Sequence, residues 1–245
     1  MSKLSLCKLC GRSARLVNAH IIPESMYPFE NQRREPLVMV ASAPETPLGK
    51  SRVGEYDPKL VCAQCESTFS PWEDYTIRLF RKESGQGDYN MIQTYDYPKL
   101  KLFFVSILWR ASETNRPFFE HVSIGPSHTA RLKQMIQNHD PGEPEEYSVL
   151  IVRFTHPYDA HKAVMNPQKK RYGSDGVSFY RFHFAGHMCA IKVDRRPTPS
   201  PFSRFILRPN QPFYIAIMKF EETQEYRAMV KAVRNRPLMR DNRRS

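Results

Sequence analysis

Cys7-Lys8-Leu9-Cys10 and Cys62-Ala63-Gln64-Cys65 are the stretches that decide how this chain of 245 residues folds. Each is a C-x-x-C turn, and 51 residues separate the two. Two thiolates three positions apart on a tight turn reach one tetrahedral ion, so two such turns make a four-cysteine set suited to Zn2+. The disulfide alternative is weak. The N-terminus shows no apolar stretch of a secretory leader before its cysteines, so the chain is expected in the reducing cytoplasm. A thioredoxin-type redox pair needs a single C-x-x-C in a βαβ setting, whereas polar turns flank both pairs here. Cys189 sits in the apolar run His187–Val193 and reads as a small buried hydrophobe.

Outward from the first pair, Gly11-Arg12-Ser13 is a turn, and Ala14–Pro23 alternates enough to form a short strand or hairpin. Outward from the second, Glu66–Phe80 reads as a helix with Phe69, Trp72, Ile77 and Phe80 as its buried stripe. Pro71 predicts a break or a fresh helix start within it. Zinc knuckle, hairpin, second knuckle and helix are the parts of a treble-clef finger. Zinc there fastens a hairpin to a helix that cannot bury enough apolar surface unaided.

Residues 5–82 resemble the HNH, or ββα-metal, nuclease family. The family carries a histidine on the first strand after the first C-x-x-C, commonly in a stretch like D-H-I-x-P. This chain has Asn18-Ala19-His20-Ile21-Ile22-Pro23 there. The family places an Asn five positions before the third cysteine and a His or Asn directly after the fourth. Here those positions hold Asp57 and Glu66, and Ala19 replaces the acid that often precedes the histidine. The resemblance implies a metal-dependent endonuclease with His20, Asp57 and Glu66 as site residues and a structural zinc on Cys7, Cys10, Cys62 and Cys65.

Phosphodiester hydrolysis needs a base to take a proton from water, a divalent cation to neutralise the phosphorane, and a group that orients the base. A neutral imidazole suits the first role, which the resemblance gives to His20. Carboxylates favour hard cations, so Asp57 and Glu66 suit Mg2+ or Mn2+. Each residue also has a plainer reading. His20 can simply pack within the finger. Asp57 can orient the imidazole instead, or cap a turn with Pro58. Glu66 suits the positive end of a helix. Glu73, seven positions beyond Glu66, would share its face on an unbroken helix, but with Pro71 between them it reads as a cap or surface residue.

Residues 83–98 read as a connecting loop and domain boundary. Leu100–Thr114 is the strongest helix, apolar over most of its circumference, with Arg110 placed at a polar edge. Ser127–Asn138 is a second, amphipathic helix. Tyr147–Phe154, Val177–Phe184, His187–Val193, Arg204–Leu207 and Tyr214–Lys219 read as strands, with Arg181 and His183 outward, and Glu221–Val233 as a closing helix. The fold expected is α+β: a four-cysteine zinc treble-clef (ββα-metal) finger over 1–82, an α+β domain with a largely antiparallel sheet over 99–233, and a basic tail over 234–245.

Composition narrows the classes further. Charged residues at 25% and aromatics at 12% exclude wholesale disorder, and no apolar run approaches the length of a membrane span. Residues 1–66 carry 9 basic and 7 acidic side chains (+2), residues 67–146 carry 9 and 11 (−2), and residues 147–245 carry 19 and 7 (+12). The C-terminal part therefore supplies the whole net excess, which suits a polyanion such as nucleic acid, DNA ahead of RNA. The function expected is a metal-dependent HNH-like endonuclease. The alternative is a catalytically inactive zinc module that binds nucleic acid or a protein partner, as one subunit of a multiprotein bacterial defence system.

Overall fold

A computed structural model describes residues 4–26, 37–40, 49–51, 55–82, 87–155, 163–224, 226–227 and 230. The first C-x-x-C turn joins β1 (Ser5–Leu6) to β2 (Ser13–Ala14), an antiparallel pair. Gly11 closes that turn at φ +73°, a left-handed conformation glycine adopts without strain, and its N–H reaches the Cys7 carbonyl at 2.8 Å. β3 (Ala19–His20) follows, then β4 (Leu37–Val40), β5 (Gly49–Ser51) and β6 (Tyr56–Asp57); β3 and β6 pair antiparallel, with His20 opposite Tyr56.

α1 spans Ala63–Lys82 and runs through Pro71 without the expected break. Proline removes the N–H that would bond the Ser67 carbonyl, but Ser67 and Pro71 both lie on the exposed side, where solvent can take that carbonyl. The buried side carries Cys65, Phe69, Trp72, Thr76, Ile77 and Phe80, as the apolar spacing predicts. β7 (Tyr89–Ile92) lies inside the stretch expected to be loop, where its alternating exposure marks an edge strand.

α2 (Tyr97–Glu113) starts at Asp96, whose side chain accepts from Lys99 N at 3.0 Å. It is buried on every side from Leu100 to Ala111, including Lys101 and Arg110. α3 (Pro126–Asn138) follows and lies close to the expected bounds. Then come β8 (Val149–Thr155), β9 (Ala163–Met165), β10 (Gln168–Tyr172), β11 (Val177–Phe184), β12 (His187–Lys192) and β13 (Phe213–Lys219).

The chain is thus α+β, with three α-helices of more than ten residues among the described residues. Its main sheet has the order β10-β11-β12-β8-β13-β7, antiparallel except where β13 runs beside β8. A smaller sheet, β5-β4-β9, contains the parallel pair β4–β9. One apolar cluster reaches from Cys7 and Leu9 through Phe69, Phe103 and Trp109 to Phe213 and Ile215, so residues of both expected segments share it. No helix is long and apolar enough to cross a membrane, among the described residues.

Two expectations for the sheet are corrected. Arg204–Leu207 is no strand: Phe202–Phe205 forms a 3-10 turn that lays Phe202, Phe205 and Ile206 over Leu150, Phe179 and Met188. His183 does not face solvent, because the sheet face that carries it holds this second cluster; it is buried and stacks on Phe154 at 6.3 Å. Of the closing helix expected over Glu221–Val233, Phe220–Glu222 is a 3-10 turn and much of the remainder lies outside the described residues. The tail over 234–245 lies wholly outside them.

Candidate metal centre and the histidine–carboxylate cleft

The four Sγ atoms of Cys7, Cys10, Cys62 and Cys65 lie within 4.8 Å of one another. Zn–S bonds of about 2.3 Å at tetrahedral angles put sulfurs roughly 3.8 Å apart, so the cluster has the size that ion needs. All four are free thiols. The two turns are locked together by the main chain. Lys8 N donates to Leu60 O at 3.0 Å, Val17 N to Val61 O at 3.0 Å, and Cys62 N to Cys7 Sγ at 3.4 Å. Burial raises the Cys7 thiol, but N–H groups of Cys10, Cys62 and Leu9 outweigh it and bring the pKa down to about 7. Cys65 is pushed the other way, first by burial, then by the neighbouring thiols. α3 braces the first turn from outside: Lys133 Nζ donates to Lys8 O and Gln137 Nε2 to Leu9 O, each at 2.7 Å.

Beside this cluster an open cleft of about 440 Å³ is lined by His20, Pro23, Glu24, Glu66, Glu73 and Arg81. β3 delivers His20, the segment after it delivers Pro23 and Glu24, and one face of α1 delivers Glu66, Glu73 and Arg81. His20 Nε2, Glu66 Oε2 and Glu73 Oε1 are buried atoms without a hydrogen-bond partner among the described residues, and of the three Glu73 Oε1 has an ion-pair contact, with Arg110. Buried polar atoms are nearly always paired, so such a group of orphans in one cleft points to the place of a ligand. The His20 ring stands edge-on to Tyr56 at 6.2 Å. Burial raises the pKa of the Glu66 carboxyl; Arg110 opposes this, Glu73 adds to it, and the His20 main-chain N–H opposes it.

Asp57 is not among the cleft residues. It is buried, with Oδ1 accepting from Lys59 N at 2.7 Å and Oδ2 from Thr114 Oγ1 at 2.7 Å. The structure therefore brings His20 and Glu66 together and places Asp57 at the end of β6, where its side chain clasps the end of α2. Glu73 and its ion-pair partner Arg110 depart from their sequence reading. Glu73 is not a cap or free surface residue, because the unbroken α1 puts it on the face of Glu66. It meets Arg110 Nη2 at 2.9 Å. Arg110 points to no polar edge: it is fully buried. A second cavity of about 500 Å³, near His128 and Arg195, is bordered by carboxylates that are already engaged: Glu146 with Arg131 at 2.7 Å, Glu145 with Lys192 at 2.8 Å, and Asp194 with Arg196 at 2.7 Å.

No family model, curated protein or solved structure matches the chain.

Proposed function

We propose that this chain is a zinc-stabilised, divalent-metal-dependent endonuclease of the HNH type, with the four-cysteine cluster as its treble-clef zinc site. The observation that carries the reading is the pair of orphaned buried atoms, His20 Nε2 and Glu66 Oε2, in one open cleft beside the four thiols. His20 Nε2 takes the proton of the attacking water, and Glu66 is the carboxylate available to Mg2+ or Mn2+. Such a cation usually keeps several waters and needs only one or two carboxylates besides substrate phosphate, which fits a cleft that offers no compact three-ligand set among the described residues. When bound, it neutralises the charge that develops on the phosphorane. The carboxylates Glu24, Glu66 and Glu73 repel a phosphodiester, so a cation held by Glu66 would be needed beside Arg81 to admit a DNA strand.

Plasmid nicking in Mg2+ and Mn2+ tests the reading. His20→Ala is expected to lower cleavage by roughly 10²–10⁴-fold while zinc content and folding stay unchanged, since His20 is no part of the four-sulfur set. Zinc-replete wild type that nicks neither DNA nor RNA in either metal refutes it. A second reading, a catalytically silent zinc module that binds nucleic acid or a protein partner, is favoured by Asp57, whose two oxygens are both engaged by protein groups. Binding without cleavage supports that one.

A further inference from the structure

Arg110 makes contacts that a residue of a core helix does not need for packing. Its guanidinium stacks over the Phe69 ring at 4.5 Å, and Nε and Nη2 reach Ser106 O and Oγ at 3.4 and 3.2 Å. Nη1 donates to the His20 carbonyl at 2.7 Å across 90 positions of chain, while Nη2 meets Glu73. His20 ends β3, where strand pairing with β6 stops and the next N–H, of Ile21, bonds Glu55 O at 3.1 Å. The other side of that peptide is held by Arg110. A buried arginine–carboxylate pair can often be replaced as a whole by apolar side chains without loss of stability, so stability alone gives no reason for the Arg110–Glu73 pair here.

We propose that Arg110 is the positioning residue of the cleft: it clamps the His20 main chain and engages Glu73, leaving Glu66 as the carboxylate that meets the cation. This rests on the nuclease reading for its catalytic consequence but not for its geometry. Arginine suits the task because its planar fork holds a carbonyl and a carboxylate at once, which an ammonium cannot do at fixed geometry.

The test uses the full-length, zinc-loaded chain as wild type, Arg110→Met, Arg110→Lys and the double variant Arg110→Met/Glu73→Gln. Two quantities are read: nicking kinetics in Mn2+, and the ring resonances of His20, assigned by their loss in His20→Gln. Arg110→Met is expected to shift the His20 ring signals and lower kcat about 10²-fold, the scale of a misplaced reacting group, with KM within about threefold. Arg110→Lys should recover part of the rate. The double variant, which leaves no unpaired carboxylate, carries the same test if Arg110→Met does not fold. Unmoved His20 signals with unchanged kcat overturn the proposal, and so does a loss confined to KM. If wild type cleaves nothing, the ring signals alone decide: a shift upholds Arg110 and removes the nuclease reading, and no shift removes both.

Discussion

At the scale of single residues, buried polar groups divide into those with partners and those without, and Asp57 belongs to the first kind. Its two bonds of 2.7 Å tie the turn after β6 to Thr114, the residue that ends α2. Asp57→Ala removes a charge-assisted acceptor from both donors, so unfolding free energy should fall by about 2–3 kcal/mol in denaturant titration. Nicking per folded molecule should stay within a few-fold of wild type.

Lys101 is the sharper case. It is fully buried in α2, and Nζ donates to Glu146 O at 2.6 Å. Burial brings its pKa down to about 7; Glu146 and Glu145 raise it and Lys192 lowers it, without reversing the effect. An unfolded lysine titrates near 10.4, so between about pH 7 and 10 the unfolded chain holds a proton the folded one has lost. Stability contributed by this group should therefore rise with pH across that window, by up to about 1.4 kcal/mol per unit, and level off below it. Lys101→Met should remove that rise from the pH profile of chemical denaturation.

At the scale of elements, the two C-x-x-C turns and α1 depend on one another. α1 begins at Ala63, between two cysteines of the second turn, and its buried residues join the shared core only if that turn is closed. Cys62→Ser breaks the four-sulfur set, and structural zinc contributes folding free energy outright. Elemental analysis should show less than one zinc per chain, and the N-terminal third should lose its ordered signals. α3 is expected to persist in that variant, since Leu132, Met135 and Ile136 are seated in the core independently of its two bonds to the first turn. The continuity of α1 also decides the cleft. A break at Pro71 would have turned Glu73 away from Glu66, and only because proline lies on the solvent side do both stand on one face.

At the scale of the whole molecule, charge is separated along the chain. The net charge of +12 comes from residues 147–245, while Glu24, Glu66 and Glu73 make the cleft itself acidic. Nucleic-acid binding, in the proposed function, is then driven by basic residues outside the cleft lining, and affinity should fall linearly on a log–log plot against salt. Deleting 234–245 removes five arginines and one aspartate. The slope should flatten by up to about 0.9 for each phosphate that the shortened chain no longer neutralises, read by fluorescence anisotropy with labelled duplex, while nicking at low salt persists.

The sequence determined by itself what depends on near neighbours. C-x-x-C spacing is local chemistry, so the cysteine cluster was legible, and so were the apolar stripe of α1, the length of α2 and the strands β11 and β12. Arg204–Leu207 failed because an apolar run shows that a segment is buried and not whether it pairs or plugs. Only the tertiary structure decided the rest of the site. Asp57 and Glu66 look alike as isolated carboxylates, and the difference is that Thr114 reaches the first and no described donor reaches Oε2 of the second. Arg110 in an apolar helix carries no signal of its destination, since its partner His20 lies 90 positions away and is met only when α2 packs against α1 and β3. A buried charge is placed by whatever the fold brings to neutralise it, and that is a property of the packed chain and not of any stretch of it.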